Sequence, residues 1–160
     1  MITTVSSINL WSCGLACIES ILSDNGRAVT QAEMLESLKA EFPAWENQPG
    51  LLSGADFDKV FAGVGFKVAV LVPNSFSESI QLMQAPETVG GILATSKFWG
   101  SAAKDSLIEL NHAMRLVDAN GNGVTLMNPY RSPAPGAIEN YSWSEIDQFK
   151  CQVFVFQSQI

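Results

Sequence analysis

A chain of 160 residues with 47% apolar and only 16% charged residues has the material for a buried core, which excludes a disordered chain. The formal net charge of −7 excludes a general nucleic-acid binder and a protein docked on anionic lipid, since both need clustered Lys and Arg. The length suits one domain over 1–160, and no internal repeat, low-complexity tract or linker divides it.

Apolar residues Leu15, Ile18, Ile21 and Leu22 recur at helical spacing, so a first helix is expected from about Trp11 to Leu22. Asp24-Asn25-Gly26 stops it. Thr30 with Glu33 is a capping box for a second helix, with Met34, Leu35 and Leu38 as its buried stripe. The segment from Pro43 to Gly50 reads as a loop. Ser53 with Asp56 caps a third helix that buries Phe57, Val60 and Phe61 and ends at Gly63 and Gly65.

The pattern then changes. Phe66 to Val72 is rich in β-formers and stops at Pro73. Ser75 with Glu78 caps a short helix through about Met83. Val89 to Ala94 reads as a second strand, Leu110 to Asp118 as a third and Val124 to Asn128 as a fourth. Asn120-Gly121-Asn122-Gly123 is a hairpin signal between the last two. If Asn120-Gly121 makes the two-residue turn, Asn128 falls opposite Ala113; other turns in this stretch shift the register and the facing side. Pro129 to Ala137 is a Pro-rich loop. Ser142 with Glu145 caps a last short helix, and Cys151 to Gln157 is a closing strand. Helices first and an antiparallel sheet second define an α+β fold.

The cysteines are Cys13, Cys17 and Cys151, an odd number that makes no disulfide framework. No C-x-x-C pair and no Cys/His cluster suggests zinc, so no metal and no other cofactor is expected. The start, Met1 to Val5, lacks a basic segment followed by a long apolar run. It predicts neither a Sec signal nor a membrane span, and hence a cytoplasmic protein or one secreted by a signal-free route.

A cysteine is a useful nucleophile when its thiolate is stabilised. A helix N-terminus and a nearby imidazolium can lower its pKa from about 8.5 to roughly 3.5–7.5. Cys13 sits where the first helix begins, Gly14 allows close backbone approach, and the Cys13 N–H is one of the helix-start donors that can hold an oxyanion. Cys17, one turn on, reads as packing. A thiol needs a base, and the single histidine is His112, on the third strand. A base needs an orienter, and Asn128 ends the next strand. Asp118 is a rival partner, but it lies six residues along the strand from His112, toward the turn. Asp56, Asp58, Glu78 and Glu109 read as caps and solvated faces, and Trp11, Trp45, Trp99 and Trp143 as packing or groove lining.

Cys13-Gly14-Leu15-Ala16-Cys17, then His112 opening an apolar strand, then Asn128-Pro129, in this order and length, resemble the papain-like cysteine peptidases. The likeness is to their compact bacterial branch, which includes the bacteriocin-leader-processing peptidases. The resemblance implies a papain-like fold, with N-terminal helices packed on a C-terminal antiparallel sheet. It also implies a peptide or protein substrate, with Cys13 as nucleophile, His112 as base and Asn128 as orienter. That family usually places a Gln six residues before the nucleophile, to complete the oxyanion hole. Here the position is Ser7, and Asn9 is the nearest amide donor. A weak or inactive peptide-binding relative, or a deamidase or transglutaminase on the same fold, are the alternatives.

Overall fold

The computed structural model describes residues 2–8, 12–43, 53–95, 112–129, 137–148 and 151–159. Three helices come first: α1 (Cys13–Asp24), α2 (Gln31–Leu38) and α3 (Gly54–Gly63). The expected caps on the second and third form: Thr30 accepts from the Glu33 N–H and Ser53 from the Asp56 N–H. Strand β1 (Val68–Leu71), helix α4 (Phe76–Gln84, capped by Ser75), and strands β2 (Thr88–Thr95), β3 (His112–Asn120) and β4 (Gly123–Asn128) follow. Strand β5 (Ala137–Tyr141), helix α5 (Trp143–Gln148) and strand β6 (Gln152–Ser158) close the chain. Ser142 and Glu145 make the reciprocal box at the head of α5, each backbone N–H donating to the other side chain.

The strands form one antiparallel sheet in the order β1-β6-β2-β3-β4-β5. Alternation along each strand divides the core in two. Ile92, Ala113, Phe154 and Phe156 pack under α1, α2 and α3, where Phe57 meets Phe154 and Phe156 edge-on at 5.2 and 5.8 Å. Leu93, Met114, Leu116, Leu126, Val153 and Val155 pack on the other face with Ile80, Leu82 and Met83 of α4 and Ile146 of α5. Helices therefore cover both faces, which sharpens the expected order of helices followed by sheet. It also explains why Val153-Phe154-Val155-Phe156 is apolar at every position: each side chain has a core to enter.

The hairpin between β3 and β4 departs from the register expected for an Asn120-Gly121 turn. The two-residue turn is Gly121-Asn122, with Asn120 paired to Gly123. Ala119 pairs with Val124 and Asp118 with Thr125, but then Leu116 pairs with Leu126, so Val117 is an extra residue in β3. This bulge places Asn128 opposite Met114. Without it, Asn128 would oppose Arg115 and face away from His112, because a one-residue slip turns every side chain over.

Strand β5 lies within and just after the expected Pro-rich loop and is absent from the sequence reading. Its ladder runs from Val124 opposite Tyr141 to Asn128 opposite Ala137. Gly123 lets it begin: at φ 143° a Cβ there would meet the Tyr141 carbonyl oxygen at 2.0 Å.

Candidate active site

Cys13 is the first residue of α1, and Ser12 at the N-cap makes no side-chain cap bond to the helix. The Ser12 hydroxyl instead accepts the Ile8 N–H at 3.1 Å. The opening N–H groups of a helix have no intrahelical acceptor, so the first turn offers donors close to the sulfur. The α1 side chains Leu15, Ile18, Ile21 and Leu22 are buried, which fixes the helix on the sheet and its first residue at the sheet's end. The Cys13 sulfur accepts the backbone N–H of Ala113 at 3.4 Å. That contact sets residue 13 against the residue that follows His112. Cys17, one turn on, is fully buried among the apolar residues, as expected of packing.

His112 is buried at the start of β3, and its Nε2 lies 2.8 Å from Asn128 Oδ1. The bulge at Val117 makes this contact possible, since it brings Asn128 to the diagonal position on His112's side of the sheet. Asn128 is also buried, and its Nδ2 donates to Glu139 Oε2 at 2.9 Å. The other oxygen of Glu139 accepts the Tyr141 hydroxyl. His112, Asn128, Glu139 and Tyr141 thus make a polar diagonal across β3, β4 and β5. Asp118 lies apart from it and accepts from Asn120 Nδ2 at 3.2 Å.

Burial acts against charge at both titrating groups. It pushes the Cys13 thiol above its ordinary value, opposed by the backbone amides of Ala113, Gly14 and Cys13 itself. It lowers His112 to about 4, opposed by the Asn128 hydrogen bond and the Glu139 charge. The lowered thiol anticipated from a helix start and an imidazolium is therefore not what this resting structure holds.

The segment ahead of Cys13 is tied down from three sides. Gln31 at the head of α2 clamps it, donating to the Ser6 carbonyl at 2.6 Å and accepting the Ile8 N–H at 3.2 Å. The Ser7 N–H donates to the Pro129 carbonyl at 2.9 Å, next to Asn128. Ser7 itself is buried. Asn9, the amide donor suggested for the oxyanion hole, lies outside the described residues, as do Trp11, Trp45 and Trp99. Further along α1, Arg115 on β3 pairs with Asp24 and donates to Ser20 Oγ at 2.7 Å, and Asp24 accepts from the Thr3 hydroxyl at 2.6 Å.

Sequence reasoning missed Glu139. In β5 the alternation is inverted: Ile138 is exposed, while Ala137, Glu139 and Tyr141 are the half-buried residues. No apolar period-2 signal marks such a strand. The available clue was the short gap between the end of β4 and the Ser142 cap, enough for a returning strand.

Helices on both faces of one antiparallel sheet, with Cys13 heading the first helix and His112 on a central strand, fit a papain-like fold. Comparison with solved structures agrees. The peptidase domain of Streptococcus ComA, a bi-functional ABC transporter of a quorum-sensing pathway, superposes with a TM-score of 0.66. It is 16% identical, over 99% of this chain and 100% of that one. A double-glycine-motif protease from an AMS/PCAT transporter, solved with its leader peptide, gives 0.65 at 12% identity, covering 99% and 93%. A C39-like peptidase from Bacillus anthracis gives 0.61 at 9% identity, covering 99% and 95%. The chain thus has the fold of the C39 papain-like peptidase domains. No family model and no curated protein matches the sequence. Among the described residues, no helix is long and apolar enough to cross a membrane, and no group of three His, Cys, Asp or Glu side chains could hold a metal ion.

Proposed function

We propose that this protein is a cysteine peptidase that cleaves a peptide or protein amide through Cys13, His112 and Asn128. The observation that carries the reading is the contact of the Cys13 sulfur with the Ala113 amide, beside a His112 whose Nε2 is held by Asn128. With Nε2 on Asn128, Nδ1 is the ring nitrogen proposed to serve the thiol. The fold shared with a protease solved around its leader peptide supports a peptide as the substrate.

In the proposed reaction His112 Nδ1 takes the Cys13 proton as the sulfur bonds to the carbonyl carbon. Proton transfer to His112 precedes or accompanies the attack. The Cys13 N–H at the head of α1, with Asn9 as a second donor, holds the oxyanion. The C–N bond breaks, the amine leaves with the proton from Nδ1, and the acyl group remains on Cys13 as a thioester. Water, deprotonated by His112, releases the acid and restores the thiol. An amine in place of water gives acyl transfer, and a side-chain amide as substrate gives deamidation.

The test is intact-mass spectrometry after incubation with a peptide library. The expected result is an acyl adduct on Cys13 that turns over, absent in Cys13→Ala and His112→Ala. Iodoacetamide should then label Cys13 ahead of Cys17 and Cys151. Equal slow labelling of all three cysteines with no adduct would sink the enzyme reading. One observation favours a second reading, a peptide-binding relative with little activity: Ser7, where the family usually has Gln, is buried with its N–H on Pro129. Tight peptide binding by a protein that forms no adduct would select it.

A further inference from the structure

Building on the Cys13–His112–Asn128 reading, we infer that Glu139 is a positioning residue: by holding the Asn128 amide in one orientation it fixes the tautomer in which His112 serves as base. The two ends of an Asn side chain differ, one accepting and the other donating two hydrogens. A carboxylate accepts and does not donate, so Glu139 Oε2, 2.9 Å away, selects the Nδ2 end of Asn128. That leaves Oδ1 facing His112 Nε2 at 2.8 Å. An amide oxygen only accepts, so the neutral ring carries its hydrogen on Nε2 and its lone pair on Nδ1. Turned over, the amide would present N–H groups to Nε2, and the hydrogen would move to Nδ1. The ring could then no longer take the thiol proton.

Tyr141 completes the device. Its hydroxyl donates to the other oxygen of Glu139, which holds the carboxylate in place on the edge strand. The three side chains share a face because β4 and β5 set Leu126 opposite Glu139 and Val124 opposite Tyr141. The Glu139 charge also favours the imidazolium that forms when the thiol proton arrives. The orienting role that a single residue plays in a simple triad is divided here between an amide and the carboxylate behind it.

The experiment compares Glu139→Leu with Glu139→Gln in the full chain. Leu removes the acceptor. Gln keeps an amide oxygen that can still receive Asn128 Nδ2. Nitrogen-15 NMR of His112 at pH 7 reads the tautomer without substrate. The expected result is an Nε2–H ring in the parent and in Glu139→Gln, and a ring shifted toward Nδ1–H in Glu139→Leu. In turnover, Glu139→Leu should lose about 10²-fold or more in kcat with KM changed less than about twofold, since a wrong tautomer stops the base rather than binding. Glu139→Gln, which keeps the acceptor and loses only the charge, should retain at least about tenfold more kcat than Glu139→Leu. An Nε2–H ring in Glu139→Leu, or equal kcat losses in both variants, would overturn the inference. Because the tautomer is read apart from turnover, a protein that cleaves no peptide leaves this result intact.

Discussion

The sulfur of Cys13 and the backbone N–H of Ala113 meet at 3.4 Å, joining the head of α1 to the head of β3 across 100 residues of sequence. The contact is one of the few that favours thiolate at this position, and burial outweighs it. The balance has a consequence in solution. Alkylation of Cys13 by iodoacetamide should climb close to tenfold per pH unit between about pH 6 and 8, because reactivity follows the thiolate fraction. A flat rate from pH 5 to 8 would mean a standing thiolate–imidazolium pair, and the neutral resting state would be wrong.

The buried ring of His112 links stability to pH. Its pKa falls to about 4 in the folded protein, against about 6.5 in an unfolded chain. Above pH 6.5 the ring is neutral in both states and contributes no pH dependence. As pH drops toward 4 only the unfolded chain binds the proton, so stability is lost across that window, by about 3 kcal/mol in total. Urea unfolding of the parent and of His112→Gln at pH 7.5 and 4.5 checks it. The parent should lose more on acidification, and equal losses would count against a ring held neutral.

Glu139 supplies a reason for an amide, and not a carboxylate, at position 128. An Asp at 128 would set two carboxylates at hydrogen-bond distance, and like charges so close raise the pKa of one of them. Asn128→Asp should therefore be less stable than the parent at pH 8, with the deficit shrinking toward pH 5. The sign follows from a folded-state pKa raised above the unfolded value: the stability is present at low pH and lost as pH rises. Thermal melts at both pH values read this out. Adding Glu139→Gln should restore most of the loss, and a double variant no better than Asn128→Asp would show that repulsion is not the cause.

Arg115 and Asp24 carry α1 on β3 and tie the Thr3 segment to both. Both charged side chains are largely withdrawn from water, at 7% and 15% exposure, so removing one strands the other. Asp24→Ala should cost about 3–5 kcal/mol in urea unfolding. Removing both, in Asp24→Ala with Arg115→Met, should cost less than the sum of the single losses. Strict additivity would show that the pair is not coupled.

Much of the fold was legible along the sequence because local chemistry decides it. Thr30, Ser53, Ser75 and Ser142 head helices because their hydroxyls satisfy amides one turn away, and they act wherever the chain goes next. Cys13 near a helix start and His112 on the third strand were legible from local patterning as well. Only the tertiary structure decided three other things. The extra residue Val117 chose the face of Asn128, and a one-residue slip has no signature in apolar content. Strand β5 forms by pairing with β4 and turns Glu139 inward, so its stability comes from a ladder and a polar contact instead of its own periodicity. The charge states at Cys13 and His112 follow from how much water the packed helices and sheet exclude, and that is a property of the assembled core.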